Sequence, residues 1–294
     1  MREPWVHREG VINGVRLHWV EMGTGPLVVL LHGFPEFWWG WHRQITALTA
    51  AGFRVVAPDL RGYNLSEKPE GAASYRVSIL AQDVVALIRH LGAERAHLAG
   101  HDWGGVIAWR VAMRHAEVVD RLVIANAPHP SIFSREMRRP RQFLRSWYAM
   151  FFQLPLLPEA LIRANDFAVL ERIFRRSPAR PGAFTDQDVR RYKEAASRPG
   201  ALTAMLNYYR GFARSLGRRG EGGSAGPRRT VDRPTLVIWG ERDAALGPHN
   251  LDGLERWVPD LRIERLPEAS HWVLADAPER VNELMTEFLR EKPE

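Results

Sequence analysis

The sequence predicts an α/β fold: a mostly parallel central sheet flanked by helices, with an inserted all-helical cap. Three observations lead there. Short apolar runs alternate with stretches of helical periodicity over most of the 294 residues, the pattern of parallel βαβ units covered on both faces. That alternation fails between about residues 131 and 230, where helical periodicity alone persists, broken by Pro178, Pro181 and Pro199. Finally, Gly100-His101-Asp102-Trp103-Gly104 joins an apolar run to a helical one, with glycines two before and two after a carboxylate. Such spacing marks a sharp strand-to-helix turn that lifts one side chain above a sheet.

Taken in order, residues 16–22, 27–32, 54–57, 96–99, 122–125, 235–239 and 262–266 read as strands, being short apolar runs bounded by turn residues. Residues 41–51, 78–91, 105–115, 250–258 and 278–290 read as the helices between and after them. Within the insertion, residues 147–157, 158–175, 185–197 and 200–216 are helical in character. The Gly/Arg-rich residues 217–229 read as a mobile linker back to the sheet. The expected division is a core of residues 1–130 and 231–294 and a cap of residues 131–230.

Composition removes several function classes. With no Cys, disulfides, thiolate metal sites and cysteine nucleophiles are excluded. The net charge of +7 invites a nucleic-acid reading, but the arginines are scattered in pairs such as Arg138-Arg139, Arg175-Arg176 and Arg190-Arg191. No basic run is interleaved with stacking aromatics, so solvated arginine faces are expected and no nucleic-acid partner. Met1-Arg2-Glu3-Pro4-Trp5 lacks the apolar core of a signal peptide. The longest apolar stretches, residues 27–31 and 151–157, are too short to cross a bilayer. A cytoplasmic protein with no membrane partner is expected.

Asp102 at the centre of the turn changes the chemistry that a serine would bring there. A carboxylate is ionised at neutral pH and attacks an electrophilic carbon without a base. Hydrolysis of the resulting ester is then the hard step. A nucleophile so placed needs an oxyanion hole, a base and an acid to orient that base, arriving in the order nucleophile, acid, His. Asp243 follows the strand at 235–239, and His271 follows the strand at 262–266. Both stand at carboxyl ends of parallel strands, where active groups collect. Glu241 and Glu268 remain alternatives to Asp243. The Trp103 N–H and the Phe34 N–H, in His32-Gly33-Phe34-Pro35 after an early strand, are the candidate oxyanion donors. The Phe34–Pro35 peptide is expected to be cis. His32, His101 and His129 match no metal-ligand spacing and read as turn or packing residues; no metal and no cofactor are expected.

These residues together resemble the α/β-hydrolase superfamily and, within it, the epoxide hydrolases. The likeness runs through His32-Gly33-Phe34-Pro35-Glu36, Asp59-Leu60-Arg61-Gly62-Tyr63, the segment around Asp102, and Ser270-His271-Trp272. Asn64 departs from it, standing where many relatives have Gly. The resemblance implies an α/β-hydrolase fold and two cap tyrosines that donate to an epoxide oxygen. Tyr148, in Ser146-Trp147-Tyr148-Ala149, and Tyr209, in Asn207-Tyr208-Tyr209-Arg210, match those positions; Tyr208 replaces the usual Trp. It further implies a small hydrophobic epoxide and water as partners, in a pocket drawing on Phe34, Trp38, Trp39, Trp103, Phe151 and Phe152. A homodimer is left open. Haloalkane and haloacetate dehalogenases share the Asp nucleophile and form the first alternative, and a non-catalytic ligand-binding module forms the second. Phe34 lacks the side-chain donor and Trp103 the guanidinium that those two dehalogenase classes respectively call for.

Overall fold

The computed structural model describes residues 4–215 and 230–291. Eight strands form one sheet: β1 (Val6–Ile12), β2 (Val15–Met22), β3 (Leu27–Leu31), β4 (Arg54–Pro58), β5 (Ala96–His101), β6 (Val119–Ala125), β7 (Thr235–Gly240) and β8 (Leu261–Leu266). Their order is β1-β2-β4-β3-β5-β6-β7-β8. β2 runs antiparallel to both β1 and β4, and every other pairing is parallel. β3 and β7 are buried along their whole length, as parallel strands covered on both faces must be.

The crossovers decide where the functional loops gather. The chain passes from β3 to β4 through α1 (His42–Ala50), then returns over β3 to β5 through α2 (Val77–His90). Right-handed crossovers in opposite directions put α1 and α2 on opposite faces. α3 (Trp103–Arg114) continues in the direction of α2 and packs beside it, while the C-terminal α11 (Pro278–Arg290) packs beside α1. The reversal lies between β3 and β5, so the loops leaving their carboxyl ends splay apart and open a crevice.

Between β6 and β7 the described residues are helical: α4 (Pro130–Glu136), α5 (Pro140–Arg145), α6 (Trp147–Phe151), α7 (Leu157–Arg176), α8 (Asp186–Ser197) and α9 (Ala201–Ser215). α10 (Val273–Asp276) is a short turn before α11. A buried ion pair ties this insertion together. Arg210 on α9 donates to both oxygens of Glu159 on α7 at 2.7 and 3.1 Å, and to the carbonyls of Phe152 and Leu154 at 2.9 and 2.8 Å. One guanidinium thereby locks α9 to the turn after α6.

Several sequence expectations need correction. β1 gave no alternating signal, because only Ile12 on it is buried. Its existence rests on pairing through the Asn13-Gly14 turn, both residues at positive φ, which is a strong hairpin signal that alternation alone overlooks. The helix expected at 147–157 ends at Phe151; Leu156, at φ 63, breaks the chain before α7. α7 is itself kinked at Asn165–Phe167, where three residues have positive φ. Residues 250–258 form two short 3-10 turns, separated at Gly253 with φ 81. The linker expected at 217–229 lies outside the described residues.

The turn at Asp102 depends on three close approaches. Asp102 adopts φ 49, ψ −119, a strained conformation for a residue with a Cβ. A Cβ on Gly100 would fall on the Gly104 carbonyl, one on Gly104 on the Leu31 carbonyl, and one on Gly33 on the Asp102 side chain. Gly104→Ala therefore costs about 2 to 3 kcal/mol of stability, read as a lowered midpoint in urea unfolding. Arg210→Met leaves the Glu159 carboxylate buried and unpaired, and costs about 3 kcal/mol in the same measurement.

Candidate active site

Three loops at the carboxyl edge of the sheet bring Asp102, Asp243 and His271 together. Asp102 directly follows β5, Asp243 follows β7, and His271 follows β8. His271 Nδ1 lies 2.7 Å from Asp243 Oδ2, and its Nε2 lies 3.5 Å from Asp102 Oδ2. Asp243 is fixed on its other side, since Oδ1 accepts from the Ala245 and Leu246 N–H groups at 2.8 Å each. Glu241 and Glu268 instead pair with Arg265 and Arg242, which removes both as alternatives to Asp243.

Asn126 completes this arrangement, and sequence reading missed it. It stands at φ 41 just past β6. Its Nδ2 donates to Asp243 Oδ2 at 2.8 Å and its Oδ1 accepts from the Gly240 N–H at 2.9 Å. The available signal was an Asn, tolerant of positive φ, at the carboxyl end of the strand beside β7. His101 acts on the other side. It pairs with buried Glu36 at 2.9 Å, and its Nε2–H donates to the His271 carbonyl at 2.8 Å. Tyr192 on α8 donates to the same Glu36 at 3.3 Å. His101 thus fixes the loop that carries His271.

The two oxygens of Asp102 have different surroundings. The Phe34 N–H donates to Oδ1 at 2.8 Å, and the Phe34–Pro35 peptide is cis as expected. Oδ2 faces His271. Trp103 heads α3 immediately after. His32 Nδ1–H donates to the Gly33 carbonyl at 2.9 Å and its Nε2 accepts from the Leu60 N–H at 3.0 Å, so it braces this loop against the turn after β4. His129 caps α4 and stacks on Trp257. Both have the packing roles expected of them.

Charge coupling sets the protonation of the central groups. Burial pushes the Asp102 carboxyl up, but His271, His101 and the Phe34 N–H outweigh it and hold it below the usual range. Burial alone would lower His271; the carboxylates of Asp243 and Asp102 overrule it and raise the imidazole well above its ordinary value. Two phenols lie over this pair. Tyr148 on α6 and Tyr209 on α9 have ring centroids 5.9 Å apart, and burial followed by the charge of Asp102 raises both hydroxyls. The Tyr209 ring also meets the Trp103 indole edge to face, with centroids 5.0 Å apart. Phe34 and Phe152 pack on Tyr209 at 5.4 and 5.0 Å, and Phe151 stands behind Phe152.

Trp38 and Trp39 do not join them. Their rings meet Trp5, His7, Phe37 and His42, and the Trp39 indole N–H donates to Asp188 on α8 at 2.6 Å. They follow β3 closely in sequence, but the 3-10 turn Trp38–Trp41 carries them behind the loop and under α8.

Comparison with known proteins places this geometry. The family profile described as alpha/beta hydrolase fold matches residues 26–278. The chain is 45% identical over 281 residues to the AB hydrolase superfamily protein YfhM of Bacillus subtilis, covering 95% of this chain and 96% of the relative. It is 38% identical over 288 residues to human epoxide hydrolase 4, covering 95% and 77%. The crystal structure of Bacillus megaterium epoxide hydrolase in complex with an inhibitor superposes with a TM-score of 0.87 at 34% identity, covering 97% of this chain and all of that one. Among the described residues, no helix is long and apolar enough to cross a membrane. The chain belongs to the α/β-hydrolase family and, within it, to the epoxide hydrolases.

Proposed function

We propose that the protein hydrolyses an apolar epoxide to a vicinal diol in two steps, through an ester on Asp102. Residues 131–230 act as a cap over the core of residues 1–130 and 231–294, closing on substrate and water. In the first step Asp102 Oδ2 attacks an oxirane carbon and the C–O bond of the ring breaks. Tyr148 and Tyr209 donate to the departing oxygen, one of them giving up its proton to the alkoxide. A buried phenol suits this task, because it stays protonated at neutral pH and still donates.

In the second step His271 Nε2 takes a proton from water, and the hydroxide attacks Cγ of the ester. Oδ1, already held by the Phe34 N–H, carries the developing negative charge, with the Trp103 N–H as second donor. The tetrahedral intermediate collapses, and the departing alkoxide takes a proton from the His271 imidazolium to complete the diol. The new carboxyl passes its remaining proton to His271, and Asp102 retains one oxygen from water. Charge coupling times the two steps. In the free enzyme His271 is raised by two carboxylates; once Asp102 is esterified, one of them is gone. The imidazole then loses affinity for its proton when a base is needed, and the proton it sheds restores the tyrosinate that ring opening left. Asp243, held by Asn126, keeps it oriented.

The observation that supports this reading is that the Tyr148 and Tyr209 rings pack 5.9 Å apart, near enough to Asp102 for its charge to raise both hydroxyls. A dehalogenase would need donors for a departing halide. Trp103 is the candidate for that task, but its indole packs edge to face on Tyr209, and Phe34 offers no second side-chain donor. Diol formation from styrene oxide, with no halide released from chloroalkanes, is the expected outcome of paired assays. A non-catalytic ligand-binding module would give neither.

Four further outcomes test the steps. His271→Gln should stop turnover after one ring opening, leaving a protein heavier by the mass of one substrate. In the unaltered enzyme the ester should accumulate as pH falls, because Asp102 stays ionised below the usual carboxylate range while protonated His271 halts hydrolysis; rapid-quench mass spectrometry reads this directly. Tyr148→Phe and Tyr209→Phe should each slow ring opening about tenfold or more, and the pair together about 10³-fold, in single-turnover kinetics. Because both hydroxyls are raised, ring opening in the unaltered enzyme should persist past pH of about 10.

A further inference from the structure

A second cleft, of about 420 Å³, opens between α8 and the core, away from the catalytic pocket. Arg190, Arg191, Glu194 and Arg198 line one side, and His7 and Asn64 the other. Arg190 and Glu194 stand one turn apart on α8, with Arg191 beside them and Arg198 just past its C-terminus, on the exposed flank that borders the helix's buried face. Three cations thus meet a single carboxylate in one concave site. An apolar, uncharged epoxide has no use for them.

These groups are held in place from behind. The Arg191 guanidinium lies 3.9 Å over the Trp39 ring, itself anchored on Asp188. Arg198 Nε donates to Asn64 Oδ1 at 2.8 Å, and Asn64 Nδ2 donates to Asp59 Oδ2 at 2.9 Å. His7 Nδ1 meets His18 Nε2 at 2.9 Å, and His18 Nδ1 meets Asp59 at 2.7 Å. Asp59 is fully buried, so one hidden carboxylate orders, through Asn64 and His18, groups on two parts of the cleft wall. The contact to Asn64 uses only the Nε of Arg198, and its two terminal nitrogens are still available to form a fork for an oxyanion.

Asn64 is the residue that departs from the family pattern. At φ 39 the backbone would accept glycine with less strain, but glycine could neither hold Arg198 nor reach Asp59. We propose that this cleft binds a small, multiply charged oxyanion, phosphate- or carboxylate-bearing, which clamps α8 to the core. The ligand would bridge the arginines of the helical insertion to the β1 edge and the Asn64 turn.

The test is titration of the full-length protein with pyrophosphate and, separately, with citrate, at low ionic strength, by calorimetry and thermal unfolding. Saturable one-to-one binding of at least one anion, with a rise in Tm, is expected, and the anion that binds distinguishes phosphate from carboxylate chemistry. Asn64→Gly should weaken that binding about tenfold, while diol formation without anion is unchanged. Arg190→Gln and Arg198→Gln should weaken it at least as much, and they decide the matter should Asn64→Gly fail to fold. Arg280→Gln, exposed on α11, should leave it intact. Absence of saturable binding with both anions overturns the proposal, as does equal weakening by Arg280→Gln, which would reveal only the general positive field of the protein.

Discussion

An imidazole buried between two carboxylates is the interaction on which the rest of the structure depends. His271 can stay charged away from water only because Asp243 and Asp102 flank it, and Asp102 stays ionised in turn partly because of His271. Buried charges are expensive unless paired and hydrogen-bonded, and here the pairing is built in layers. Asn126 and two backbone N–H groups hold Asp243, the Phe34 N–H holds Asp102, and His101 holds the His271 backbone. In the reaction we propose, the same coupling orders the two steps, since alkylating one carboxylate alters the basicity of the group that acts next.

Topology makes that interaction possible at little cost in chain length. Parallel strands deliver their carboxyl ends to one edge, and the reversal between β3 and β5 leaves a gap there for Phe34 and Asp102. The strain at Asp102 is met by glycines at the close approaches, where β3, β5 and the start of α3 come within touching distance of each other. The other half of the site belongs to the helical insertion. Tyr148 and Tyr209 come from helices far apart in sequence, and Arg210 holds their segments in register by bonding to the turn beyond α6 from the residue next to Tyr209. Two apolar-looking helices thereby bring two phenol rings together.

How much of this could be read from residues alone varies with the physical origin of each feature. The parallel core was legible because its strands are buried on both faces and appear as unbroken apolar runs. β1 was not, since an exposed edge strand shows no alternation and is defined by its partner. The helix expected through residues 147–157 was overextended because apolar content does not reveal a chain break at a positive φ such as that of Leu156. The meeting of Asp102, Asp243 and His271 at one edge of the sheet was legible from order and strand-end position. Asn126, Glu36 and Arg210 were not, because they act only through contacts with residues distant in sequence. Trp38 and Trp39 were assigned to the wrong surface for the same reason: proximity in sequence to Phe34 does not say on which side of a loop a side chain turns.

By itself, the sequence determined the fold class and the strained turn that carries a carboxylate at its centre, since that turn leaves only glycine where backbones approach; the proposed chemistry follows from the carboxylate type. It also determined the order in which acid and base arrive. Only the tertiary structure decided which carboxylate orients His271, which aromatic groups face Asp102, and how two cap phenols converge. Those outcomes depend on distances of 2.7 to 5.9 Å between segments far apart along the chain, and only packing sets such distances.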